Sequence, residues 1–128
     1  MRILLDTHIA LWAITDDPRL PEQARKLLLT PQNDIVVSAA SVWEISIKHA
    51  LGRLSMPVSG SDALNYFKES GYRLLPVAPE HAAFVEQLPL HHNDPFDRIL
   101  VAQALCEPLR LLTHDAEIAR YSDMVIFV

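Results

Sequence analysis

The sequence predicts an α/β domain in which a mainly parallel sheet is covered on both faces by helices. Two patterns carry this. Short, continuously apolar runs alternate with longer helical segments along the whole chain. The runs show no in–out alternation, as expected of strands buried on both faces. A third observation is size. At 128 residues, half of them hydrophobic and 21% charged, the chain suits one domain with a sizeable core. A single domain over residues 1–128 is therefore expected.

Arg2–Leu5 (RILL) is too brief for a helix and suits a buried strand. A short helix carrying Ile9, Leu11 and Trp12 follows Asp6. Pro18 and Pro21 break the chain, and Glu22–Leu29 is a second helix stopped near Pro31. Ile35–Val37 is a second strand. Ser41–Leu51 is helical, with Gly52 as its stop. Leu54–Ser61 holds Pro57 and Gly60 and reads as a loop. Asp62–Ser70 is a helix ended by Gly71, and Tyr72–Val77 contains a third strand. A helix over Glu80–Leu88 follows Pro79. After the polar loop Leu90–Asp94, Pro95 opens a long helix that Pro108 ends. Arg110–Thr113 is a fourth strand, Ala116–Tyr121 a helical turn, and Met124–Val128 a terminal strand.

Composition excludes several classes. The longest stretches without a charged residue are Thr7–Thr15 and Ile35–Trp43, nine residues each, whereas a membrane span needs about 20. The single cysteine, Cys106, excludes a disulfide framework and a cysteine-based zinc site. The start of the chain lacks the form of a signal peptide, so a cytoplasmic location is expected. The net charge of −5 is not that of a general nucleic-acid binder.

In parallel open sheets, ligands bind beyond the carboxyl ends of the strands. Asp6 follows the first strand and Asp115 the fourth. Glu44 lies early in the helix after the second, and Asp94 and Asp97 open the long helix. Each acid has a structural explanation, because helix N-termini favour negative charge. Asp6 and Asp115 could be N-caps, Ser41-Val42-Trp43-Glu44 fits a capping box, and Asp94-Pro95-Phe96-Asp97 fits a capped start. Jointly, Asp6, Glu44, Asp97 and Asp115, spaced by 38, 53 and 18 residues, would meet at one sheet edge. Carboxylates gathered there repel unless a cation lies between them. Oxygen donors favour Mg²⁺ or Mn²⁺, which can bridge phosphate oxygens and activate water. With those four acids set aside, the remaining net charge is −1, so an RNA or DNA substrate stays admissible.

Four segments, ILLDTHIALWAI, SVWEISIKHALGRL, HHNDPFDRILVAQA and LLTHDAEI, together resemble PIN-domain ribonucleases of the VapC toxin type, in their DPFDR branch. The resemblance spans about the whole chain in the family's order. It implies a three-layer α/β/α sandwich and Mg²⁺- or Mn²⁺-dependent endonucleolytic cleavage of RNA. It also implies a type II toxin–antitoxin pair in which a small antitoxin blocks the acidic pocket, and a homodimer. It places the family's acids on Asp6, Glu44, Asp97 and Asp115, with Asp6, Asp97 and Asp115 as metal ligands. Thr113 matches the family's hydroxyl, and Asp94 is a supporting residue, behind the ligands or on a second metal. PIN proteins also act outside toxin pairs, as RNA-processing nucleases.

Other residues carry weaker signals. Lys48 is either an i,i+4 partner of Glu44 or a phosphate contact. Arg98 suggests an ion pair, within or between subunits. His8, His91, His92 and His114 flank the acidic edge and suit loop polarity or RNA contact, with a histidine–metal site as the alternative. Trp12, Trp43, Ile9, Ile47 and Leu51 read most simply as core, and Cys106 as a small core residue. A phosphotransfer receiver is disfavoured because no lysine follows Lys68. A dehalogenase-like phosphatase is disfavoured because His8 stands where a second acid is needed. A non-catalytic module that holds a partner's arginine in the acidic pocket remains, distinguishable by its indifference to divalent metal.

Overall fold

The structure, a computed structural model, describes residues 1–54 and 56–128. The elements are β1 (Arg2–Leu5), α1 (Thr7–Thr15), α2 (Glu22–Leu29), β2 (Asp34–Ser38), α3 (Ala39–Ala50), α4 (Gly60–Glu69), β3 (Arg73–Leu75), α5 (Pro79–Phe84), α6 (Pro95–Cys106), β4 (Arg110–Thr113), α7 (Ala116–Ala119) and β5 (Val125–Phe127). A single 3₁₀ turn, Val85–Gln87, follows α5. The five strands form one sheet in the order β3-β2-β1-β4-β5, and every pair is parallel.

Side chains alternate across a strand. In β1 this sends Ile3 and Leu5 into a core with residues of α1, α2 and α4, while Leu4 enters a second core with α6 and Ile118 of α7. Helices thus cover both faces, which is the physical basis of the continuously apolar strands. The strand order reverses between β1 and β4. In open parallel sheets such a reversal leaves a crevice beyond the carboxyl ends of the strands. Asp6 immediately follows β1, and Asp115 lies two residues beyond β4.

Several boundaries differ from the sequence expectation. Helix α3 starts at Ala39, capped by Ser38, whose hydroxyl accepts from the Ala40 N–H at 3.0 Å. The Ser41–Glu44 capping box is therefore not formed. Ser41 Oγ instead accepts from Thr7 Oγ1 at 2.9 Å, tying α3 to α1. Gly60 is not loop but the first residue of α4, capped by Ser59. A Cβ there would lie 1.7 Å from Ser46 Oγ and 3.2 Å from Ser46 Cα, so glycine permits the close α3–α4 approach. The remainder of that loop expectation includes Ser55, which lies outside the described residues. Helix α5 is shorter than expected, and β3 and β5 are only three residues each.

The core assignments also change. Trp12 is buried, but Trp43 is 62% exposed and Leu51 is exposed too. Cys106, expected in the core, is exposed at the end of α6. Among the described residues no helix is long and apolar enough to cross a membrane.

Candidate active site

Asp6 ends β1 and caps α1: its Oδ1 accepts from the Ile9 N–H at 2.9 Å, and its Oδ2 accepts a hydrogen bond from Thr113 Oγ1. Thr113 Oγ1 also accepts from the Asp115 N–H at 3.0 Å. One hydroxyl on β4 therefore orients two acids of neighbouring strands. Asp115 caps α7 through the Glu117 N–H, and Asp94 caps α6 through the N–H groups of Phe96 and Asp97. Capping and convergence thus hold together. The dipoles of these helix starts aim N–H groups at the acidic edge.

Glu44 is different. It lies on the second turn of α3, buried, with Oε2 paired to Lys48 Nζ at 2.5 Å. Its other oxygen, Oε1, is buried without a hydrogen-bond partner. An unsatisfied buried carboxylate oxygen is costly and rare. The i,i+4 reading of Lys48 is therefore the contact observed.

The charges interact. Burial, followed by repulsion from Asp94, Asp6 and Glu44, pushes the Asp97 carboxyl up to about 7, with His92 opposing. Burial likewise pushes Asp6 up, against the hydrogen bonds from Ile9 and Thr113. Asp97 thus lies within electrostatic reach of Asp94, Asp6 and Glu44, and Asp6 within reach of Asp115.

The sequence does not single out His92 from its neighbours. In the structure its Nε2 lies 3.2 Å from Asp97 Oδ2 and 3.0 Å from Asp115 Oδ2. The Asp94 N–H donates to Nδ1 at 3.1 Å, which leaves the proton of the neutral ring on Nε2, facing the two carboxylates. Burial favours that neutral ring, but the Asp115 hydrogen bond and the charges of Asp97, Asp115 and Asp94 outweigh it and raise the His92 pKa. His92, Asp97 and Asp115 offer three ligand atoms within 4.8 Å of one another.

Arg98 departs from the within-chain half of its expectation. Among the described residues it forms no ion pair. Its guanidinium donates to the carbonyls of Pro89, His92, Val85 and Leu88 and to the Tyr121 hydroxyl. Tyr121 Oη in turn accepts from the His92 N–H at 2.9 Å. Arg98 and Tyr121 therefore hold the loop that carries His92 over the acids. The only sequence signal for this is Arg98's position one turn into a helix that follows a polar loop. The Tyr121 contribution comes from 23 residues away.

The donor set fits a divalent cation. It consists mainly of carboxylate oxygens, mutually repelling, with one buried oxygen left unsatisfied. The PIN domain family model matches residues 3–124. The chain belongs to the PIN-domain family. Solved structures agree with that fold. The PIN domain described here is similar to a chain of VapBC2 from Rickettsia felis bound to a promoter DNA fragment, with TM-score 0.71 and 18% identity over 100% of this chain and 98% of that one. It is similar to FitAcB from Neisseria gonorrhoeae at TM-score 0.65 and 23% identity, over 98% and 96% of the two chains. It is also similar to a toxin–antitoxin complex from Klebsiella pneumoniae at TM-score 0.62 and 18% identity, over 97% and 95%. At these identities the likeness concerns the fold. No curated protein matches this PIN domain by sequence.

Proposed function

We propose that this PIN domain is a Mg²⁺- or Mn²⁺-dependent endoribonuclease and the toxin of a type II toxin–antitoxin pair. The observation that carries the nuclease reading is the convergence of Asp6, Glu44, Asp97 and Asp115, from four separate chain segments, on one sheet edge. Burial first, and then repulsion from Asp94, Asp6 and Glu44, raises the Asp97 pKa to about 7. Such an arrangement destabilises an empty site and favours a bound cation. Asp6, Asp97 and Asp115 would hold that cation, with Glu44 and Asp94 adding negative charge behind them. A bound Mg²⁺ or Mn²⁺ supplies positive charge for the phosphoryl oxygens and activates water for attack on phosphorus.

The chain's own residues prepare the site. Thr113 fixes the Asp6 carboxylate by donating to Oδ2, and Asp6 cannot rotate without losing its cap to Ile9. Lys48 neutralises part of the Glu44 charge, which lessens the repulsion on Asp97. Occupied by Glu44, Lys48 supports that acid more directly than it supports phosphate binding. The His92 N–H partly satisfies Asp97 and Asp115 when no cation is present.

The toxin reading draws on the fold shared with a toxin–antitoxin complex. An antitoxin arginine could pair with the same carboxylates in bidentate fashion and displace the cation. The chain also exposes an apolar surface on one side: Trp43 packs edge-on against Phe96, ring centres 5.2 Å apart, beside a cleft of about 540 Å³ that includes Val77 and Ile99. That surface suits self-association into a homodimer.

RNA cleavage by the purified protein with Mg²⁺ or Mn²⁺ tests the proposal, with EDTA and Asp6→Asn as controls. Cleavage should need the metal and fall at least ~100-fold in Asp6→Asn, the loss expected when a principal electrostatic stabiliser is removed. Cleavage that survives both controls would overturn the assignment. A protein indifferent to divalent metal that binds an arginine-bearing peptide would support the non-catalytic module instead.

A further inference from the structure

Beside the acidic edge is a cleft of about 410 Å³, lined by Asp6 and Asp115 at one end and by His8, Trp12, Arg19 and His114. Its volume falls within the range of small-ligand sites, roughly 300–1,000 Å³. Three of its lining residues, His8, Trp12 and His114, are flat rings. Trp12 is the centre: His8 lies 5.9 Å from it, tilted by 46°, and His114 lies 5.9 Å away, edge-on at 66°. His114 is also nearly parallel to Phe127, at 13° and 6.3 Å. The Arg19 guanidinium covers Trp12 at 5.4 Å.

Core packing accounts for Trp12 but not for the rings around it. Trp12 is buried, but His8 and His114 are exposed and Phe127 is 51% exposed. Nor is the cleft a simple phosphate site. Arg19 is held by Asp17 through two hydrogen bonds, at 3.1 and 2.8 Å, so its charge is already matched. What the cleft offers is ring surface, directly continuous with two of the acids. Stacking on aromatic and imidazole faces is how unpaired bases are held, and it tolerates any base because each has a π-face.

We infer that this cleft is a subsite for one unpaired nucleobase next to the scissile phosphate, with His8 and His114 as its stacking surfaces. The inference rests on the nuclease reading above and adds to it the residues that would hold a base beside the cut. A flat imidazole serves in either charge state.

Adenosine 5′-monophosphate in the presence of Mg²⁺ is a suitable probe, since it contains no phosphodiester to cleave. The chain has two tryptophans, so Trp43→Phe leaves Trp12 as the sole reporter. The nucleotide should quench Trp12 fluorescence saturably, and ribose 5-phosphate should not. His8→Ala and His114→Ala, each checked for an unchanged fold by thermal melt, should each weaken nucleotide binding about tenfold, the loss typical of one base stack. In RNA cleavage the same variants should raise KM about tenfold with kcat within ~2-fold, because the lost contact is made equally in ground and transition states. Equal quenching by ribose 5-phosphate overturns the subsite. So does an RNA-cleaving protein whose KM survives both substitutions. Nucleotide binding at Trp12 in a protein that cleaves no RNA with either metal would sustain the subsite and refute the nuclease reading.

Discussion

Replacing Asp97 with Asn should stabilise the cation-free protein. The carboxyl is half-buried, and loss of solvent followed by repulsion from Asp94, Asp6 and Glu44 pushes it up to about 7 from an ordinary value of 3.8. The folded state therefore binds this proton more tightly than the unfolded state. Stability from this group is fully present below the unfolded value and is lost as pH rises from about 4 through about 7. A shift of about three pH units corresponds to a ceiling of about 4 kcal/mol lost at and above neutrality. Asparagine recovers only part of it, because its buried amide needs partners and the contact with His92 weakens. A net gain of about 1–2 kcal/mol is expected, raising Tm by roughly 3–10 °C for a domain of this size. The assay is thermal melting in EDTA at pH 8 and pH 5. The advantage of Asp97→Asn should be largest at pH 8 and shrink at pH 5, where the wild-type carboxyl is already protonated. With Mn²⁺ the order should narrow or invert, because cation binding stabilises the wild type by mass action. A variant that melts below wild type in EDTA, with metal shifting neither protein, would refute the reasoning and leave Asp97 as a helix-terminal charge worth a few tenths to 1 kcal/mol.

Arg98→Ala should free five acceptors around the His92 loop, destabilise the fold by roughly 2–3 kcal/mol and weaken Mn²⁺ binding in a calorimetric titration. Arg98→Lys should recover little, since one ammonium cannot span that spread of carbonyls. Gly60→Ala should lower stability by about 1–3 kcal/mol in denaturant melts, because the Ser46 backbone lies within 3.2 Å of the added carbon. Trp43→Glu should shift the protein towards monomer in sedimentation while leaving its melting temperature at low concentration within a few degrees, because Trp43 is 62% exposed in the single chain.

The sequence determined the architecture because strands buried on both faces must be continuously apolar, and the centres of β1 (ILL), β2 (IVV) and β4 (LL) are. It also singled out acids that the fold brings towards one edge, because residues just beyond parallel strands share that edge whatever their separation along the chain. Asp6 and Asp115 could be matched to β1 and β4 on that ground alone. It did not determine how those acids are held. Ser41 and Glu44 have the spacing of a capping box, yet α3 begins two residues earlier, so Ser41 turns to Thr7 and Glu44 turns inward to Lys48. Helix starts depend on a competition between nearby caps, Ser38 against Ser41, and tertiary contacts settle it. Trp43 and Leu51 have helical spacing with core residues, but burial depends on which neighbours the fold supplies, and those of Trp43 and Leu51 leave both largely exposed. His91 and His92 are indistinguishable as neighbours in sequence. Only the folded loop, held by Arg98 and Tyr121, directs one towards Asp97 and Asp115 and the other against the Tyr121 ring. The list of candidate groups is local in the chain, whereas their orientation and charge are properties of elements packed together from distant segments.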